Sequence, residues 1–191
     1  MYAQPKLYLT SQEYLAWERQ QELRYEYVNG EVFAMSGASR KHNLISVNVT
    51  TALHSQLRQK PCEIYNNDMR VKITANGAYT YPDVVVVCGR PLFEDAEVDT
   101  LLNPLLIIEI LSASTERYDR GTKFSYYRSL PSLQDYVLIT QDAYRIEHYT
   151  RQNGNQWLLR DYQDIADIIA ISSISCNLVM QDVYERIDKI Y

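Results

Sequence analysis

The chain has 191 residues, 46% of them hydrophobic and 23% charged, with a formal net charge of -5. That length suits a single domain over residues 1–191. The acidic balance excludes a protein that coats nucleic acid through bulk electrostatics, though not an enzyme whose cations are gathered in one groove. No apolar run approaches the roughly 18 residues needed to span a bilayer, and Met1 to Thr10 lacks the layout of a signal peptide. No membrane partner and a cytoplasmic location are therefore expected.

In chain order, Thr10 or Ser11 caps a first helix with Glu13 in its first turn and Tyr14, Leu15, Trp17 and Leu23 at roughly helical spacing. Asn29-Gly30 between Tyr25-Glu26-Tyr27-Val28 and Glu31-Val32-Phe33-Ala34 predicts a β-hairpin. Leu44, Ile45, Val49, Leu53 and Leu57 predict an amphipathic helix over 39–57. Strands are expected at 62–65, 69–74 and 79–88, the last two joined by a turn at Ala75-Asn76-Gly77. The strict alternation from Asp68 to Ile73 predicts that one face of that strand meets water or a polar site, with Asp68 an ion-pair partner of Arg70 and Lys72.

An acidic loop from Gly89 to Asn103 leads to the apolar run 105–111. A polar stretch over 112–119 precedes a short helix at 120–130, stopped by Pro131. A strand at 135–141, a hairpin around Gln152-Asn153-Gly154 and a C-terminal helix over 178–187 complete the chain. Helices against a mixed sheet make this α/β or α+β. Cys62, Cys88 and Cys176 are widely separated, two of them in apolar strand-like runs, so reduced buried thiols are expected and neither a disulfide framework nor a zinc site. The 17 tyrosines, dispersed along the chain, read as strand and interface filler in preference to a base-stacking surface.

Two acids stand out because they occupy strands apolar enough to be buried on both faces: Asp83 in Pro82-Asp83-Val84-Val85-Val86-Val87, and Glu109 in Leu105-Leu106-Ile107-Ile108-Glu109-Ile110-Leu111. A buried carboxylate is costly unless a cation offsets it. Two converging acids with open coordination positions suit magnesium, which takes carboxylate oxygens, waters and phosphate. Asp119, Lys123, Tyr127 and Leu130, spaced by four, four and three, share one helical face, so Lys123 is either the cation that reaches this site or a solvated surface lysine. No glycine-flanked nucleophile serine, phosphate-binding glycine loop or histidine-cysteine metal spacing offers a competing chemistry.

Tyr81-Pro82-Asp83 entering a strand, Glu109-Ile110-Leu111-Ser112, then Thr115, Asp119, Lys123 and Tyr127 resemble the Uma-two endonuclease family, within the PD-(D/E)xK restriction-endonuclease-like superfamily. Tyr27-Val28-Asn29-Gly30-Glu31 and His42 match the same layout, and the likeness covers roughly residues 10 to 150. It implies a restriction-endonuclease-like mixed sheet flanked by helices, with an N-terminal helix and β-hairpin. It also implies a metal-dependent DNA endonuclease in which Asp83, Glu109 and the Ile110 carbonyl hold Mg2+ or Mn2+, with Lys123 beside them. The superfamily's lysine two residues after the glutamate is here Leu111, so Lys123 would deliver its ammonium from the following helix. Glu31 is a further acid or a cross-strand partner. His42 is a phosphate or site contact or a capping histidine. Asp119 and Tyr127 are supporting residues. A homodimer is expected, since two-fold symmetry suits cutting two strands. The alternatives are a catalytically inactive nuclease-fold domain serving as a DNA-binding or protein-interaction module, and an RNA-directed or structure-selective nuclease.

Overall fold

The structure, a computed structural model, describes residues 8–35, 37–73, 75 and 77–187. Residues 1–7, Thr74 and Asn76, which carry parts of the expected N-terminus, strand and turn, lie outside the described residues. Helix α1 (Ser11–Glu18) begins with a reciprocal capping box: the Glu13 amide donates to the Thr10 hydroxyl at 3.3 Å, and the Thr10 amide donates to the Glu13 carboxylate at 2.8 Å. It is shorter than the apolar spacing suggested. Arg19, its C-cap, reaches Asp95 and Asp99 at 2.8 Å each, and Leu23 falls beyond the helix, 58% exposed. Strands β1 (Tyr25–Val28) and β2 (Glu31–Ala34) form the expected hairpin, with Asn29 and Gly30 at φ 50° and 91°, the left-handed pair that a two-residue turn of this twist requires. Helix α2 (Arg40–Leu57) is capped by Ser39 and buries Ile45, Val49, Leu53 and Leu57 on one face.

The run 79–88, expected as one strand, is two. Strands β3 (Cys62–Asn66), β4 (Arg70–Ile73) and β5 (Ala78–Thr80) are followed by the break at Tyr81-Pro82-Asp83 and then by β6 (Val84–Cys88). Pro82 has no amide hydrogen to give a ladder, and the chain uses this point to pass from one sheet to another. Next come β7 (Thr100–Leu101) and β8 (Leu106–Leu111), then a helical segment of α3 (Glu116–Tyr118), a π-turn (Asp119–Lys123) and α4 (Phe124–Tyr127). Strands β9 (Asp135–Thr140), β10 (Ile146–Arg151), β11 (Trp157–Tyr162), β12 (Ile168–Ile171) and β13 (Cys176–Val179) and helix α5 (Met180–Val183) complete it. Among the described residues the strands form a five-stranded sheet, β2-β1-β5-β4-β7, a six-stranded sheet, β11-β10-β9-β8-β6-β3, and the β12-β13 pair.

The helix expected over 178–187 is reduced to the single turn α5, because Leu178 and Val179 belong to the second strand of the β12-β13 hairpin. Cys176 and Leu178 are buried while Asn177 is exposed, and across from them Ile169 and Ile171 are buried beside exposed Ile168 and Ala170. That two-residue period belongs to a strand, and only the last turn is helical. The six-stranded sheet separates two apolar layers: α2 and the β12-β13 pair cover Val84, Val86, Ile108 and Ile110, while α4 and residues of β4 and β5 cover Val85, Val87, Ile107 and Leu111. No helix of the described residues is long and apolar enough to cross a membrane.

Two further expectations are corrected. Cys62 and Cys88 face each other across the antiparallel β3-β6 pair and form a disulfide, leaving Cys176 as a buried free thiol. Register alone brings them together. In β4 the alternating face meets a polar site, as one of the two alternatives expected, and the pairing of Asp68 is what changes: Arg70 is buried and donates to Glu18 at 2.6 Å, to the Tyr81 hydroxyl at 2.8 Å and to Thr100 at 3.1 Å, while Tyr81 donates to Glu18 at 2.7 Å. Lys72 pairs with Glu94, and Asp68 pairs with Arg24 at 3.2 Å instead of with either strand cation.

The Arg70–Glu18 pair ties α1 to β4, and breaking a pair so buried leaves an uncompensated charge. Arg70→Met alone is expected to lose about 3–5 kcal/mol in urea unfolding, with most of that recovered in the Glu18→Met/Arg70→Met double variant. Alkylation under denaturing conditions, read by mass spectrometry, is expected to find one reactive thiol without reductant and three after reduction.

Candidate functional site

Asp83 lies one step beyond the Val84↔Ile108 pair, on the side where Glu109 follows in β8, so the antiparallel register brings the two acids together. By strand alternation Glu109 shares a face with Ile107 and Leu111, the face covered by α4. Asp83 is held from two sides. The Ile110 amide donates to its Oδ2 at 2.7 Å, and His42 Nε2, from the first turn of α2, lies 3.1 Å from its Oδ1. The Glu109 Oε1 atom accepts from the Tyr127 hydroxyl at 2.9 Å and from the Lys123 ammonium at 2.9 Å. Tyr127 also touches the Thr80 hydroxyl at 3.0 Å.

Lys123 is not a solvated surface lysine: it is 6% exposed, with its Nζ 3.0 Å from Glu26 and 3.8 Å from Asp119 as well as against Glu109. The expected α-helix at 120–130 instead starts earlier and carries a π-turn over Asp119–Lys123. The wider turn keeps Asp119, Lys123 and Tyr127 buried on the sheet side. The Tyr136 hydroxyl donates to the Asp119 carbonyl at 3.0 Å, within this widened stretch of backbone.

The electrostatics follow from crowding. Burial pushes the Glu109 carboxyl well above the usual range; Lys123 opposes this, and Asp119, Asp83 and Glu26 add to it. Asp119 is raised for the same reasons, burial first, with Lys123 pulling the other way. For Lys123, burial works against the charge, but attraction to Glu109, Glu26, Tyr127 and Asp119 outweighs it, so the ammonium keeps its proton. Three carboxylates, Glu109, Glu26 and Asp119, thus share one buried ammonium, and Asp83 adds a fourth negative group beside Glu109, a surplus of negative charge that a further cation would relieve. The donors are hard oxygens, which suit magnesium or manganese. Among the described residues no three His, Cys, Asp or Glu side chains form a ready-made cage. Magnesium bound through one or two carboxylates, waters and a substrate phosphate needs no such cage.

Glu26, His42, Asp83, Glu109, Asp119 and Lys123 line one side of an open cleft of about 1090 Å³. Glu31 is not among the lining residues. It lies in β2 opposite Val28 and accepts from the Tyr8 hydroxyl at 3.0 Å. The acid from the hairpin is Glu26, which the sequence reading passed over. Its signal was the alternation in β1: Tyr27 packs on Tyr14 and Tyr79, with ring centroids 4.9 and 5.9 Å away, so its neighbour Glu26 must face the other way.

The model of the Uma2 family, described as "Putative restriction endonuclease", matches residues 11–180. Among relatives, "Uncharacterized protein slr1290" of Synechocystis sp. (strain ATCC 27184 / PCC 6803 / Kazusa) is 37% identical over 176 residues, covering 92% of this chain and 91% of that protein. "Uncharacterized protein sll1609" of the same organism is 40% identical over 153 residues, or 80% of this chain and 86% of that one. Among solved structures, "a putative nuclease belonging to DUF820 from Anabaena variabilis ATCC 29413" superposes with a TM-score of 0.75 at 18% identity, covering 92% of this chain and 97% of the other. The mixed α/β architecture is restriction-endonuclease-like.

Removing the ammonium strands at least two buried carboxylates. Lys123→Met is expected to cost about 3–5 kcal/mol in urea unfolding. Tyr127→Phe, which removes only the hydroxyl between Thr80 and Glu109, is expected to cost about 1–2 kcal/mol by the same measurement.

Proposed function

This chain belongs to the Uma2 (Uma-two) family of restriction-endonuclease-like proteins, and from that membership we propose that it is a divalent-metal-dependent endonuclease that hydrolyses DNA phosphodiester bonds. The observation that carries this reading is the Lys123 ammonium 2.9 Å from Glu109, delivered from the helical segment although Leu111 occupies the usual strand position of the lysine.

Asp83, Glu109 and the Ile110 carbonyl would hold Mg2+ or Mn2+. Bound there, the ion supplies Lewis-acid polarisation of the scissile phosphate. The chain's own residues do the rest. The Ile110 amide and His42 fix the Asp83 carboxylate, and Tyr127 fixes that of Glu109. Lys123, with its proton retained, stabilises the negative charge that grows on the phosphate and orients the attacking water. DNA is the proposed polymer. A homodimer is the proposed assembly, because two-fold symmetry presents one such site to each strand.

The test is cleavage of single-stranded, duplex and branched DNA, and of RNA, with Mg2+ or Mn2+. DNA cutting that EDTA abolishes is expected, with losses of about 10²–10³-fold in Asp83→Ala and Glu109→Ala. If the wild-type protein binds neither ion by calorimetry and cuts no nucleic acid, the chain is instead a binding module on a nuclease scaffold.

A further inference from the structure

The cleft combines two features that do not suit an intact duplex. The lysine and arginine among the described residues that line it are already matched to carboxylates, Arg24 to Asp68 at 3.2 Å and Lys123 to Glu109 and Glu26, and the lining acid Asp142 is itself paired with Lys41 at 2.7 Å. A protein that holds a duplex by its backbone needs lysines and arginines available to the phosphates. Meanwhile an apolar wall is left open to solvent. In the hairpin, Phe33 stands directly opposite Glu26. Facing residues of an antiparallel pair share a side, so the Phe33 ring lies on the cleft face, beside the carboxylate that holds Lys123 at 3.0 Å. Phe33 is 48% exposed, and Leu23, also in the cleft wall, is 58% exposed. The other aromatic side chains of this hairpin are used internally: Tyr25 packs on Trp17 at 4.8 Å and Tyr27 on Tyr14 at 4.9 Å.

We infer that the cleft takes unpaired DNA, as a single strand, flap or bulge, and that Phe33 is the platform on which a base next to the scissile phosphate stacks. This rests on the nuclease reading of the site. Stacking supplies affinity that does not depend on a row of cations, and a base within an intact duplex has no free face to offer. The acidic rim then disfavours duplex, which carries more charge per unit length than a single strand.

The probe is a short single-stranded oligonucleotide carrying a fluorescent adenine analogue, bound to the wild-type protein in EDTA, so that the readout does not require cleavage. Quenching on binding is expected, with affinity reduced about five- to a hundredfold in Phe33→Ala and retained in Phe33→Tyr. Unchanged urea midpoints would establish that both variants are folded. In Mg2+, single-stranded or bulged DNA is expected to be cut faster than intact duplex, with Phe33→Ala raising KM more than it lowers kcat. Absence of quenching, equal affinity in Phe33→Ala, or equal cutting of duplex and single strand overturns the inference while leaving the nuclease reading intact. Quenching that depends on Phe33 without any cleavage supports the stacking site and removes the nuclease.

Discussion

The contact between Lys123 and Glu109, with Glu26 as its third member, joins three parts of the chain that are remote in sequence: the helical segment after β8, the centre of the six-stranded sheet and the N-terminal hairpin. All three side chains are largely removed from water. An isolated charge at such a depth would be intolerable, and its partners tolerate it only while each stays within about 3 Å of the ammonium. The hairpin and the helical segment are therefore anchored to the sheet by electrostatic necessity as well as by apolar packing.

That necessity explains irregularities nearby. An uninterrupted α-helix after β8 would have met the sheet with a regular turn, whereas the π-turn at Asp119–Lys123 widens the backbone where two charged side chains must both face inward. The break at Pro82 has a similar role on the other side of the site. It ends β5, moves the chain between sheets and delivers Asp83 immediately before β6, where the Ile110 amide donates to its carboxylate. Each departure from regular structure positions one member of the cluster.

The surplus of carboxylates has consequences beyond metal affinity. A cleft rich in acid repels the polyanion it is proposed to cut, so the ion and Lys123 must supply most of the local positive charge, and other contacts have to be largely uncharged. The tyrosines illustrate how context divides one residue type among tasks. Tyr127 and Tyr136 hold the site's backbone and carboxylates by their hydroxyls, Tyr81 completes the Arg70–Glu18 network, and Tyr14, Tyr27 and Tyr79 pack as rings beneath the hairpin.

Much of this was legible in the residues. Local signals, the Thr10 capping box, the Asn29-Gly30 turn and the four-residue spacing in α2, act over a few positions and survive folding unchanged. Asp83 and Glu109 announced themselves because ionised groups are expensive in apolar strands, and the spacing of Asp119, Lys123 and Tyr127 identified a shared face. Tertiary structure decided what depends on partners distant in sequence. Whether Lys123 is buried depends on how the π-turn seats the helical segment on the sheet, and whether Glu26 or Glu31 joins it and whether Cys62 meets Cys88 depend on how the strands pair and which face each presents. The β12-β13 pair was missed because four-residue strands carry too few periods to be told from a helical turn. Sequence by itself determined the acids and the elements that carry them; only the assembled sheets decided which cation, and which third acid, would share their burial, because a buried charge is satisfied by contact in space and not by neighbours along the chain.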